Sequence, residues 1–161
     1  MGESRNNFKI MLFIRSANDN DIFFKRDGRR FESENTIKLL VEANYNFTIT
    51  IKPSLPLQSV SVSGVGVSVT DLSQQETEGS KYTFSWGSIK VNPNKKKDRT
   101  TVQLLFQFQD GLTLVLPLQV KFYRPEETDH LIWGSPLNHI EYNCIVKPGQ
   151  TYVDIVKEIF R

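Results

Sequence analysis

Residues 101–123 read TVQLLFQFQDGLTLVLPLQVKFY, in which apolar side chains alternate with other residues on both sides of Asp110-Gly111. A period of two is typical of a strand that buries one face. Asp-Gly favours a tight hairpin turn, because the central residues of such a turn need positive φ. The stretch therefore predicts a long hairpin with about ten residues in each arm.

Alternating segments also occur before and after this hairpin. The clearest is residues 44–52, where aromatic and isoleucine side chains alternate with polar ones until Pro53. Asp27-Gly28 predicts a second hairpin turn, between residues 22–25 and residues 30–31. The alternation in residues 59–69 changes phase at Gly64, which predicts a β-bulge there. Further strands are predicted around residues 8–15, 82–86 and 140–146.

Together these segments predict an all-β fold, either an antiparallel β-sandwich or a closed β-barrel with about eight to ten strands. Near the C-terminus the apolar residues Tyr152, Ile155, Val156 and Ile159 have helical spacing. They predict a short closing helix, although valine and isoleucine suit a final strand as well. Because no long linker or repeat divides the chain, residues 1–161 are expected to form a single domain.

Composition limits the kinds of partner and location. The 161 residues include 20 Lys plus Arg and 18 Asp plus Glu, a net charge of +2, which argues against a dedicated nucleic-acid binder. The three lysines at 95–97 are interpreted as a solvated loop, with contact to an acidic partner or anionic lipid as the alternative. Without a signal-peptide pattern or a long apolar run, we expect a cytoplasmic protein with no direct membrane insertion.

The sequence offers little support for catalysis or a metal centre. Several polar side chains lie near one another in sequence: Asp129, His130, Ser135, His139, Glu141 and Cys144. Their spacing matches no recognised metal site, nucleophile elbow or cysteine signature. Cys144 lies on the apolar side of its predicted strand, which indicates a buried thiol. We therefore expect no enzyme activity, cofactor or metal, with an esterase using Ser135 or Cys144 as the alternative.

Trp133 stands in a predicted turn, Trp133-Gly-Ser-Pro136. A tryptophan at such a position either plugs the end of a β-sandwich or presents an aromatic anchor to a partner. Because tryptophan is highly buried on average, the plug is favoured.

Several short motifs, taken in order, resemble the cannabinoid receptor-interacting protein 1 family. The motifs are FFK at 23–25, DG at 27–28, RF at 30–31, NTIKLL at 35–40, IKPS at 51–54, QVKFY at 119–123, DH at 129–130, WGSP at 133–136, IEY at 140–142 and Cys144. The resemblance implies a barrel-like all-β fold similar to Rho GDP-dissociation inhibitors. It also implies a non-catalytic cytosolic adaptor that binds the intracellular C-terminal tail of the type 1 cannabinoid receptor and dampens its signalling.

Binding of a receptor tail suggests where to look for a peptide site. Basic side chains can hold a terminal carboxylate, and a sheet edge can add an extended strand. Two basic–aromatic pairs are candidates, Lys81 with Tyr82 and His130 with Trp133. We expect a monomer that lies near the plasma membrane only through a receptor. The alternative function, a carrier of a lipid, acyl or prenyl group, requires an apolar cavity in the β core.

Overall fold

The computed structural model describes residues 7–161. Within them lie thirteen strands, one short α-helix and a 3-10 turn at Ser73–Gln75. The elements are β1 (Asn7–Ser16), β2 (Ile22–Arg26), β3 (Asn35–Leu40), β4 (Asn44–Lys52), β5 (Leu57–Val62), β6 (Val65–Val67), β7 (Val69–Asp71), β8 (Ser80–Gly87), β9 (Thr100–Phe108), β10 (Thr113–Tyr123), α1 (Thr128–Leu131), β11 (Ser135–Leu137), β12 (Ile140–Ile145) and β13 (Asp154–Phe160).

The strands form two sheets that are not closed into a barrel. One has the order β13-β12-β1-β4-β8-β7, and the other has the order β11-β2-β3-β10-β9-β5-β6. All neighbours are antiparallel except β3 and β10, which run parallel. The predicted all-β sandwich is therefore confirmed, and the barrel alternative does not hold.

Two strand predictions agree closely with the structure. β4 spans residues 44–52, and β9 and β10 form the long hairpin around Asp110-Gly111. Gly111 has a φ of 93°, which glycine adopts without the strain that a side chain would add. The alternation of buried and outward residues identified these strands because each has one buried face.

Two local predictions are wrong, and of the two alternatives for the C-terminal segment the strand is the correct one. Ser63 and Gly64 form no bulge but the two-residue turn of a hairpin, with φ values of 49° and 84°, so that Val62 pairs with Val65. The strand after Asp27-Gly28 begins at Asn35 rather than at residue 30, because the Asp27 side chain turns inward and anchors a longer loop. The closing segment is strand β13 and not a helix, since its backbone pairs with β12.

The strand count also exceeds the expected eight to ten. Residues 57–71 divide into three short strands, and the turn at residues 133–136 continues into β11. Short edge strands of this kind are bounded by turns and carry too few residues for a clear period.

The two sheets share one core filled with aromatic and branched side chains. Phe47 and Phe84 stack within the first sheet at a ring distance of 5.2 Å. Phe84 meets Phe106 of the second sheet edge-on at 6.0 Å. The space between the sheets is thus occupied by rings that connect one sheet to the other.

The sandwich has two distinct ends. At the upper end, Val41 after β3 donates its backbone N–H to the carbonyl of Tyr123 in β10, and Asn44 of β4 pairs with Gly87 of β8. At the lower end, Phe8 of β1 lines a cavity with Pro53 and Asp110. These terms are used below to place each surface feature.

We expect Phe106→Ala to lower the free energy of unfolding by about 3–5 kcal/mol, because the ring is fully buried and its removal leaves a cavity between the sheets. Phe106→Leu should cost clearly less, since it fills most of the space. Urea unfolding of the three proteins checks this, and equal stabilities would contradict the packing described here.

Candidate anion-binding groove

The outer face of the second sheet carries a groove of about 560 Å³. We call it the lysine groove. Its lining combines four lysines with aromatic rings, an amide and one carboxylate: Lys25, Lys38, Lys96, Lys121, Asn94, Tyr123, Glu127, His130 and Trp133. The positive charge of this lining makes it a candidate site for an anion.

Strand geometry explains why two of these lysines meet. Ile37 and Leu39 of β3 point into the core, so Lys38 between them points outward. The same alternation turns Lys121 outward between Val120 and Phe122, and the parallel register places Lys38 beside Lys121. Two like charges therefore stand next to each other on one surface.

Both ammonium groups lie over the ring of Tyr123. The Nζ of Lys38 is 5.7 Å from the ring centre, and the Nζ of Lys121 is 5.1 Å from it. Such contacts stabilise cations by interaction with the negative face of the ring. Tyr123 thus holds both lysines at the floor of the groove although they repel each other.

Lys38 is unusual because only 5% of its surface is exposed. Its Nζ donates a hydrogen bond to the carbonyl of His130 at 2.8 Å. Burial, together with the positive charges of Lys25 and Lys121, lowers the pKa of Lys38 to about 8. No carboxylate among residues 7–161 lies within 4.0 Å of the ammonium of Lys38 or Lys121.

The one strongly buried carboxylate nearby is already neutralised. Asp27 accepts hydrogen bonds from Arg99 Nε at 3.0 Å and from the hydroxyl of Thr36. Burial alone would raise the pKa of Asp27, but the bonds from Arg99 and Thr36 outweigh it and lower that pKa. Asp27 pairs with Arg99 and, at 3.5 Å, with Lys25, so it makes no direct ion pair with Lys38 or Lys121.

The same network and a further hydrogen bond of Asn94 hold the two loops next to the groove. Gln119 of β10 donates to the Thr36 hydroxyl at 2.9 Å and to the carbonyl of Ser33 at 2.9 Å, which holds the loop of residues 27–34. Asn94 accepts the backbone N–H of Phe122 at 2.8 Å and so places the loop that carries Lys96. The groove is therefore a fixed feature of the sheet and its two loops.

His130 and Trp133 lie on the opposite wall, as part of α1 and the turn after it. Their rings meet edge-on at 5.6 Å. Gly134 follows with a φ of 134°, and a Cβ there would collide with the carbonyl of Phe24. Trp133 is 69% exposed, so the prediction that it plugs the sandwich is wrong. The bond from Lys38 holds α1 on the side of the sheet, where Trp133 projects outward.

The structure separates the two predicted basic–aromatic pairs. Lys81 and Tyr82 lie on β8 of the other sheet, away from His130 and Trp133. Tyr82 is buried, and its hydroxyl accepts the N–H of Leu57 at 3.1 Å, while Lys81 donates to Gln75 at 3.1 Å. Sequence reasoning missed Lys38 and Lys121, although both occupy polar positions in the motifs NTIKLL and QVKFY.

The residues considered for catalysis do not assemble. Cys144 is buried as predicted, and burial raises its pKa to about 12, which keeps the thiol protonated. His139 contacts Asn138 at 2.6 Å and Glu141 at 3.2 Å. Within residues 7–161, Ser135 and Cys144 make no hydrogen bond to a histidine, and no three potential ligands are placed to hold a metal.

Across residues 7–161, every helix is too short or too polar to cross a bilayer.

The fold and the groove define an all-β sandwich protein with a basic, aromatic-lined surface groove. Residues 4–160 match the family described as CB1 cannabinoid receptor-interacting protein 1, and the chain belongs to this family. It is 37% identical to the human CB1 cannabinoid receptor-interacting protein 1 over 154 residues, which cover 94% of this chain and 93% of the relative. The proteins of that name from Mus musculus and Bos taurus are 37% and 36% identical with the same coverage. The resemblance found in the motifs is thus confirmed.

We expect Asp27→Asn to lower the free energy of unfolding by about 3–5 kcal/mol near neutral pH, because it leaves the buried guanidinium of Arg99 without a counter-charge. Glu34→Gln, an exposed carboxylate in the same loop, is the control and should change stability little. Urea titrations of both variants measure the difference.

The pH dependence of that difference has a defined sign. Because the folded pKa of Asp27 is lowered, its stabilising contribution is complete above the ordinary carboxyl pKa and is lost as pH falls through the folded value. The stability gap between wild type and Asp27→Asn should therefore shrink in acid. A gap that stays constant down to the acid transition would show that the ion pair is not its source.

Proposed function

We propose that this chain is a non-catalytic, single-domain cytosolic adaptor that binds the intracellular C-terminal tail of a G-protein-coupled receptor and modulates its signalling. The observation that carries the proposal is the nearly buried, carboxylate-free ammonium of Lys38 on the floor of the lysine groove. The relatives are named for interaction with the CB1 cannabinoid receptor, which supports a receptor of this kind as the partner.

A C-terminal tail matches the groove because it ends in a carboxylate and arrives as an extended chain. Lys38 and Lys121 supply charged donors for that carboxylate, and hydrogen bonds between charged groups are the stronger kind. His130 and Trp133 offer a wall of rings for the side chains that precede the terminus. The proposed peptide site thus keeps this predicted pair and uses Lys38 and Lys121 in place of Lys81 and Tyr82.

Modulation of signalling would follow from occupancy of the lysine groove by the receptor tail. A receptor tail held in the groove is withheld from other proteins that recognise the same terminus. The alternative role as a lipid, acyl or prenyl carrier requires open space in the core. Packing of Phe47, Phe84 and Phe106 between the sheets favours the adaptor instead.

We expect fluorescent peptides from receptor tails to bind saturably, with a loss of about tenfold or more when the terminal carboxylate is amidated. Lys121→Gln should weaken binding to a similar degree, because it removes one of the two charges at the floor. Lys147→Gln, an exposed lysine near the lower end, serves as the matched control. Fluorescence anisotropy gives the affinities, and equal binding of acid and amide forms would exclude carboxylate capture.

We also expect the affinity to depend on pH around the pKa of Lys38. Below a pH of about 8 the Lys38 ammonium is charged, and the affinity for the peptide does not change with pH. Above that pH, Lys38 must take up a proton when the peptide binds, so the affinity falls. Lys38→Met should bind more weakly and lose this fall. A wild-type affinity that is unchanged from neutral pH into the alkaline range would rule out Lys38 as the charged contact.

A further inference from the structure

Exposed apolar side chains gather at the upper end of the sandwich, beside the lysine groove. Ile132 is 59% exposed and precedes Trp133 in the turn after α1. Ile89 is 69% exposed and lies in the loop between β8 and β9. That loop continues into Lys95, Lys96 and Lys97, all exposed. We call these residues, together with Lys90, the upper rim.

Contacts within the described chain bring these parts together. Lys96 and Trp133 line the same groove. Ile132 lines a neighbouring cavity with Leu40 and Ala43. Ser88, the residue before Ile89, donates its hydroxyl to the carbonyl of Leu40 at 2.7 Å. The loop of residues 88–99 and the turn after α1 therefore meet at the end of β3.

The charge of the rim is largely unbalanced. Within residues 7–161, no carboxylate lies within 4.0 Å of the ammonium of any of its four lysines. Acidic groups nearby include Asp98 in the loop, Asp21 and Glu42 at the cavity, Glu127 in the groove and Asp129 in α1. They are fewer than the lysines of the rim and groove together, so this end of the molecule is positively charged.

We propose that the upper rim docks on the surface of an anionic lipid bilayer. Tryptophan favours the headgroup level of a bilayer, where its ring meets apolar and polar surroundings at once. Lysines beside such residues gain from the negative surface potential of anionic lipids. A nucleic acid would use the lysines but not the exposed Ile132 and Trp133, and the combination of both kinds of side chain favours the bilayer.

The proposal goes beyond receptor binding and beyond attachment through a receptor alone. It requires no spanning segment, because only side chains of two loops enter the headgroup region. A protein docked in this way would hold the lysine groove beside the membrane, where receptor tails begin.

The first test is co-sedimentation with phosphatidylcholine vesicles that contain or lack phosphatidylserine. We expect binding only to the phosphatidylserine vesicles. The double variant Lys95→Gln/Lys97→Gln should lose about tenfold or more of that affinity, and Ile132→Ser a similar factor. Neither variant changes a residue that lines the lysine groove.

Matched controls lie on the other side of the molecule. Val156→Ser removes an exposed aliphatic side chain from β13, and Lys147→Gln/Lys157→Gln removes the same charge from exposed positions just after β12 and within β13. Both should bind vesicles as wild type does. Thermal unfolding shows that each variant is folded, which is expected because all six positions are exposed.

A second measurement uses tryptophan fluorescence and does not depend on a variant that binds vesicles more weakly. Trp133 emission should shift to the blue when phosphatidylserine vesicles are added, as its ring leaves water. Trp133→Phe should abolish the shift while vesicle binding persists through the phenylalanine ring.

Three results would overturn the proposal. The first is no binding to the phosphatidylserine vesicles, and the second is an equal loss of vesicle affinity in the rim and control variants. The third is vesicle binding that is sensitive to salt but is not changed by Ile132→Ser and causes no shift of Trp133 emission. The last result would identify a site for soluble polyanions. Titration of Lys95→Gln/Lys97→Gln and Ile132→Ser with a soluble tail peptide separates this failure from that of the receptor proposal, since these residues do not line the groove and peptide binding should not change.

Discussion

The parallel pairing of β3 with β10 is the constraint on which the surface of this protein depends. It sets Ile37 beside Val120 and Leu39 beside Phe122, and these apolar pairs belong to the core. Because side chains alternate along a strand, the same register must place Lys38 beside Lys121 on the outer face. A shift of one residue would expose the core residues and bury the lysines, so the hydrophobic effect that fixes the sandwich also fixes the charged pair.

The loops around that pair are held by ion pairs and hydrogen bonds of Asp27, which reach Arg99 and Lys25 but neither Lys38 nor Lys121. Asp27 and Arg99 neutralise each other, and Thr36 and Gln119 satisfy the remaining polar atoms. This network ties the loop of residues 27–34 and the loop before β9 to the strands beneath them. A groove with firm walls and an excess of positive charge on its floor is the result. Its charge is therefore available to a ligand.

Sequence patterns predicted the sandwich because most strands are buried on one face and polar on the other. They failed where a tertiary contact decides the local structure. The strand after Asp27-Gly28 starts late because Asp27 bonds to Thr36 and Arg99, and Arg99 is 72 residues away in the chain. Trp133 was expected inside because tryptophan is usually buried, but the hydrogen bond from Lys38 to His130 positions its turn on the outside. His130 and Trp133 could be paired from their spacing alone, whereas Lys38 and Lys121 meet only through the parallel register.

Lys38 is difficult to explain by folding alone. Burial of an ammonium without a carboxylate partner costs free energy, and its hydrogen bond to the carbonyl of His130 and the ring of Tyr123 offset only part of that cost. Two residues earlier on the same outer face stands Thr36, a neutral residue whose hydroxyl is fully bonded, so the sheet does not require a cation at such a position. Residues that break a local rule at a cost in stability are concentrated at functional sites. An anionic ligand bound in the lysine groove would supply the missing charge, and an anionic bilayer against the proposed upper rim would bring a membrane-anchored ligand to the groove.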